Sequence, residues 1–417
     1  MSVFKAVDIL IPQVEEIEKW SVIACDQFTS QPEYWKQVRQ YVGDNVSTLN
    51  LVFLEAELEN KSDIRIKEIK DTMRKYLFQN ILLQYSNSYV YVERTLMNGK
   101  IRKGVVGMVD LEAYDYEKNA SAFVRATEQT VIERIPPRMS VRRNADLDLS
   151  HVILFCDDKE DKLIGTLAEH KEEMSKLYDF ELMQNGGRIT GWLVCGTNAK
   201  LFEKYLSEYE KDTELLYRDK KQKAMLYAVG DGNHSLATAK ACYEELKQMY
   251  PNSNISNHPA RYALVELENI NDEVQQFKPI HRIIKKVDVQ NLLIQMEKKI
   301  CSKQGNPLEY YIGNERGVLY IEREGLLVNT LQQFLDDYLQ ENEGEIDYIH
   351  GENVLKELAK EKNSIGFLLP TIEKSQLFAR VVEGGVLPRK TFSIGHAHEK
   401  RYYLETRKIE EHTLLSG

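Results

Sequence analysis

The 417-residue sequence is short of several things, and each shortage closes a class of function. It holds no run of about 18 apolar residues, so no helical membrane span is expected. Around Lys5, Asp8 and Glu15 there is no long apolar core, so no signal peptide is expected either. The five cysteines (Cys25, Cys156, Cys195, Cys242 and Cys301) are scattered, odd in number and never in C-x-x-C, which fits free thiols in a reducing cytoplasm and gives no support to a zinc cluster. Lys and Arg total 55 against 65 Asp and Glu, a net charge of −10, and no long basic tract offsets it. That balance disfavours a dedicated nucleic-acid binder. The Walker pattern G-x-x-x-x-G-K-[ST], the nucleophile elbow G-x-S-x-G and the zincin H-E-x-x-H are all missing, as are internal repeats and low-complexity tracts. A cytoplasmic soluble protein is the expectation.

The stretch Ala224–Lys247 organises what is present. Met225 to Val229 is an apolar run of strand length, and Leu236, Ala239, Ala241 to Tyr243 and Leu246 recur at helical spacing. Between them stand Gly230, Asp231, Gly232, Asn233, His234 and Ser235. A strand, a glycine turn and a helix start bring free N–H groups and the positive helix end to one point, which suits an anion. A Rossmann reading fails at Ser235, where a third glycine belongs, and Glu266 and Glu268 lie well past the roughly 20-residue spacing of its acidic partner. A tight connector capped by Asn233 or Ser235 is the plain reading. A reactive site is the other. An Asp between glycines would repel a bare phosphate unless Mg²⁺ bridged them or unless Asp231 served as a base, and His234 adds a group that can titrate near neutral pH.

The rest of the chain reads as a multi-domain α/β (mixed α+β) protein built around this strand–Gly turn–helix site, in three regions: 1–148, an α+β region with a hairpin; 149–290, the α/β region carrying the turn; and 291–417, a C-terminal α+β region. Strands are expected at Ala6–Pro12, Trp20–Asp26 and Leu49–Leu58, and a helix at Ser62–Leu83. Asp26, with the Thr29 and Ser30 hydroxyls, leaves a strand end, either as part of a site or beside a simple helix cap. Asn98-Gly99 predicts a type I′ hairpin between Tyr89–Leu96 and Ile101–Leu111. In the tail, Lys390 with Arg389 and Thr391 could hold a phosphate oxygen. His396 and His398, two apart on a strand, would face one side and could bind a metal with a carboxylate such as Asp231; exposed strand histidines without a role are the alternative.

Asp231-Gly-Asn-His-Ser-Leu-Ala-Thr-Ala239 resembles the D-G-H-H-R-x-x-x-A signature of DUF1015, a bacterial and archaeal family of unknown function. Pro279-Ile-His281-Arg282 is similar to that family's P-x-H-R, and Leu387-Pro-Arg-Lys-Thr-Phe392 to its M-P-x-K-S-T-x-F. Glu128-x-Thr130 ahead of Arg138 is similar to its H-E-x-T followed by an arginine. The turn also resembles the phosphate-binding turn of the ParB and sulfiredoxin fold, whose members include CTPases, a free serine kinase and sulfiredoxin. That likeness implies a nucleoside phosphate at Asp231 to Ser235. The family's arginine is Ser235 here, so the phosphate clamp would have to come from elsewhere, with Arg125, Arg138 or Arg142 as candidates.

The expected partner is a small-molecule phosphate or nucleotide, held by Gly230, Gly232, Asn233 and Ser235 with Arg138, His281 and Arg282. Asp231 would bind Mg²⁺ or accept a proton, and His234 would position or polarise the substrate. Lys390, with Arg138, Arg282 or Arg389, would neutralise charge. The reaction class is phosphoryl transfer or nucleotide hydrolysis. Two other classes stay open: a non-catalytic nucleotide- or metabolite-sensing regulator, and a metal-dependent hydrolase on Asp231, His234, His396 and His398.

Overall fold

A computed structural model describes residues 2–29, 31–60, 63–149, 152–251, 255–322 and 326–409. Ser30 and the expected helix start at Ser62 lie outside them. The chain is mixed α/β and forms two compact units: residues 1–275 with 396–417, and residues 276–395. This division differs from three consecutive regions. Strands on both sides of residue 148 pair in one sheet, and the chain from His396 onward returns to the first unit.

In the first unit the central strands run in the order Val124–Ala126, Tyr227–Asp231, Ile153–Cys156, Tyr262–Asn269, Ile101–Asp110, Leu82–Thr95. Tyr227–Asp231 is parallel to Val124–Ala126 and antiparallel to Ile153–Cys156. The sheet is buried on both faces. Val90, Val92, Val106 and Leu264 join one apolar cluster, while their neighbours Tyr89, Tyr91, Val105 and Val265 join the other. Two covered faces explain why these strands read as continuous apolar runs. The helix Asn233–Met249 lays Leu236, Ala239 and Tyr243 on the second cluster.

The second unit is an antiparallel sheet ordered Glu315–Ile321, Cys301–Ile312, Ile365–Leu368, Phe277–Lys285, Glu345–His350. Helices Val289–Lys299 and Leu327–Glu341 supply Leu292, Met296, Leu331 and Leu335 to its core.

Several local expectations need correction. Leu49–Leu58 is not a strand. Ser47 Oγ accepts the Leu49 N–H and starts a 3₁₀ turn at Thr48–Asn50, with another at Glu55–Asn60. Trp20–Asp26 pairs only through a single bridge from Ile23 to Tyr402. At the hairpin Gly99 takes φ 78° but Asn98 is not left-handed, so the turn is not type I′; Asn98 Oδ1 instead accepts the Lys100 N–H at 3.0 Å.

Candidate functional site

The expected strand–turn–helix forms. Pairing with Ile153–Cys156 shifts register between Val229 and Asp231, so Gly230 is a bulge that re-aims the residue after it. A Cβ on Gly230 would meet Phe155 Cε2 at 2.4 Å. Gly232 then turns left-handed (φ 85°, ψ 26°) and the helix starts at Asn233 with no side-chain cap and no acidic residue in its first turn. The early N–H groups of such a helix have no intrahelical acceptors. Asn233 and Ser235 therefore sit inside the first turn rather than capping it.

Asp231 Oδ1 accepts the Gly232 N–H at 3.1 Å, and its Oδ2 lies 3.4 Å from Lys400 Nζ. His234 Nε2 accepts the Val131 N–H at 3.2 Å, which puts the neutral ring's proton on Nδ1. Burial lowers the His234 pKa to about 4; the Arg138 and Arg134 guanidiniums push the same way, and Asp26 opposes them. The expectation of a histidine titrating near neutral pH is thus corrected: the ring is neutral at pH 7. Thr130, 8% exposed, carries a buried Oγ1 without a hydrogen-bond partner among the described residues, one position before Val131; Asn233 Oδ1 is in the same condition.

The three arginines expected to clamp phosphate are already engaged. Arg125 donates to the carbonyls of Ala122, Lys223 and Ala224. Arg142 grips Asp148 through both terminal nitrogens at 2.6 and 3.2 Å, and Arg407 shares that carboxylate. Arg138 Nη2 donates to Glu55 Oε2 at 2.6 Å. Of the three, only Arg138 acts electrostatically on His234. Beside these residues is a cavity of about 150 Å³ with polar Asp26, Glu55, Arg138 and Ser235 among apolar neighbours such as Phe53, Val141 and Leu236.

His396 and His398 are not strand residues on one face. They flank Ala397 in a 3₁₀ turn, where His396 and Glu399 make a reciprocal capping box. The His398 ring packs on Phe28 with centroids 4.8 Å apart. The period-2 geometry that made them a metal pair is therefore missing. Among the described residues no group of three or more His, Cys, Asp or Glu could hold a metal ion. Asp231 already faces an ammonium where a divalent ion would stand.

Lys400 was not foreseen. Its segment is fixed by buried Arg94, which donates to the carbonyls of His398, Glu399, Lys400 and Gly186. Arg102 Nη1 adds a bond to Glu399 O at 2.6 Å. The next residue, Arg401, pairs with Glu266 Oε2 at 2.8 Å and Glu405 Oε2 at 2.9 Å. Asp231 and Glu266 both stand opposite Ile153, on its two sides, so consecutive tail residues neutralise carboxylates two strands apart.

His281, Arg282 and Lys390 belong to the second unit and form their own cluster. His281 Nδ1 accepts the Leu369 N–H at 3.1 Å, and burial lowers its pKa to about 4. Arg282, 0% exposed, donates to Gln332 Oε1 and to the carbonyls of Ile280, Lys390 and Arg389. Arg282, Arg389 and Lys390 all lie over the Tyr348 ring, at 4.6, 5.5 and 5.1 Å. Lys390 takes a left-handed φ of 54°, just ahead of the strand Phe392–Ile394.

The match with the DUF1015 family, described as a protein of unknown function, runs over residues 4–408, and the chain belongs to that family. No curated protein matches. Among solved structures, a mutant free serine kinase in complex with ADP is similar at 11% identity and a TM-score of 0.39, over 74% of this chain and 92% of that one. A C-terminally truncated SbnI from Staphylococcus aureus is similar at 9% and 0.36, over 70% and 82%. A conserved hypothetical protein from Pyrococcus furiosus is similar at 12% and 0.36, over 74% and 96%. These identities and scores are too low for any neighbour's ligand to be transferred. The likeness to the ParB and sulfiredoxin fold remains that of one turn.

Proposed function

We propose that the Gly230–Ser235 turn binds a phosphate group of a small nucleotide and that the protein is a phosphotransferase or nucleotide hydrolase. The observation that carries this reading is the pairing of an uncapped helix start with the Asp231–Lys400 ion pair at the same turn. Helix N–H groups and an ammonium offer charge to a phosphate. In the reaction a hydroxyl or water oxygen attacks phosphorus, the bond from phosphorus to the leaving oxygen breaks, and Asp231 accepts the nucleophile's proton. His234, neutral and tied to Val131, fixes the turn and offers Nδ1–H as a donor. Mg²⁺ enters this reading only as a companion of the nucleotide, and no step is assigned to it.

A non-catalytic sensor is the second reading, favoured by one observation: His234 Nε2, the atom a general base would use, already accepts a backbone N–H. Phosphorus NMR of the protein with nucleoside triphosphates separates the two. New phosphate or phosphoester signals, lost in Asp231→Asn, support the enzyme. Binding with no product over many hours supports the sensor.

A further inference from the structure

Building on the phosphate reading of the turn, we propose that Lys400 supplies the positive charge that the family's arginine would bring at Ser235. Its ammonium lies 3.4 Å from Asp231 Oδ2, longer than a closed charge-assisted hydrogen bond of about 2.7–2.9 Å. A lysine has three donors, and Lys400 Nζ has no other hydrogen bond or ion pair among the described residues. Its side chain is nonetheless only 14% exposed. A charge so far out of water calls for more than one loose partner.

The mounting of this lysine points the same way. A free lysine stem is flexible, but here the backbone of residues 398–400 is gripped by buried Arg94 and by Arg102, and Arg401 is locked to Glu266 and Glu405. Five buried charged side chains thus fix the position from which Lys400 reaches the turn. Two further buried polar atoms have no partner among the described residues: Asn233 Oδ1 in the turn, and Thr130 Oγ1, on a side chain more than nine-tenths buried, one residue before the Val131 whose N–H binds His234. A hydroxyl can donate to a phosphate oxygen, and an amide oxygen can accept from a hydroxyl on the same molecule. The ligand class these groups fit is a phosphate ester carrying free hydroxyls, of which a nucleoside phosphate is the nearest type.

The test is calorimetric titration of the full chain with ADP and with inorganic phosphate, at low and moderate salt. Wild type, Lys400→Met and Lys400→Arg are compared, with melting midpoints of the free proteins as a fold control. Lys400→Met is expected to weaken both ligands about 10- to 100-fold, the loss of one charge-assisted hydrogen bond. Lys400→Arg should restore most of the affinity, and added salt should weaken wild type more steeply than Lys400→Met. Should Lys400→Met not fold, Lys400→Gln takes its place with the same expectation. Wild-type affinity in a folded, uncharged variant would overturn the role of Lys400 and leave the turn as a phosphate site. A wild type that binds neither ligand would overturn both.

Discussion

Asp231 and Lys400 meet at 3.4 Å although the whole of the second unit's sequence lies between them. The carboxylate divides its two oxygens between the Gly232 N–H and this ammonium, so the turn and the returning tail fix one another. The strength of that arrangement rests on residues away from the turn, and each can be probed.

Arg94 is the anchor of the tail. Burial lowers its pKa to about 10, so it stays charged at neutral pH while donating to four carbonyls. Arg94→Leu leaves those acceptors buried and unsatisfied, and a loss of about 3–5 kcal/mol is expected. Urea unfolding measures it, and an unchanged midpoint would remove Arg94 from the account.

The glycines of the turn are required for different reasons. Gly232→Ala forces an L side chain into a left-handed backbone and should cost about 1–2 kcal/mol. Gly230→Ala drives a Cβ into the Phe155 ring and should cost about 1–3 kcal/mol. Phe155→Leu should recover part of the loss when added to Gly230→Ala and none when added to Gly232→Ala. Thermal melts of the two single and two double variants decide this.

Acid should weaken the fold through its buried histidines. His234 and His281 each fall from 6.5 to about 4 on burial, so each favours the folded state while neutral. That stability is complete above about pH 6.5 and is lost as pH falls toward 4, by of order 3 kcal/mol per histidine at most. His234→Gln should flatten part of the wild-type loss over that window in urea titrations. Equal pH slopes in both proteins would contradict the burial assigned to His234.

The elements written in local periodicity were legible in the sequence. Met225 to Val229 gave its strand by continuous apolarity, Leu236 to Leu246 its helix by spacing, and Gly230 and Gly232 the turn between them. Leu49–Leu58 misled because Leu49 and Leu51 to Leu54 are buried in and between short 3₁₀ turns, which have no period of two. His396 and His398 misled for a related reason: alternation suggests a strand, but Glu399 closes a capping box on His396. Lys400 stood in view in the tail, yet nothing local tells that its partner is Asp231. The same holds for Arg138, whose commitment to Glu55 is a contact between distant segments. Asp26 was noted at the end of an expected strand, and its influence on His234 appears only in three dimensions.

The central claim is that the turn binds a nucleotide phosphate, and thermal shift against a panel of nucleotides, with and without Mg²⁺, tests it most directly. Ligand at 100 times its dissociation constant stabilises by about 2.7 kcal/mol, a rise of a degree or more for a chain of this size. The account predicts a shift with at least one nucleotide in wild type that disappears in Asp231→Asn. A flat response across the panel, or the same shift in both proteins, would contradict it.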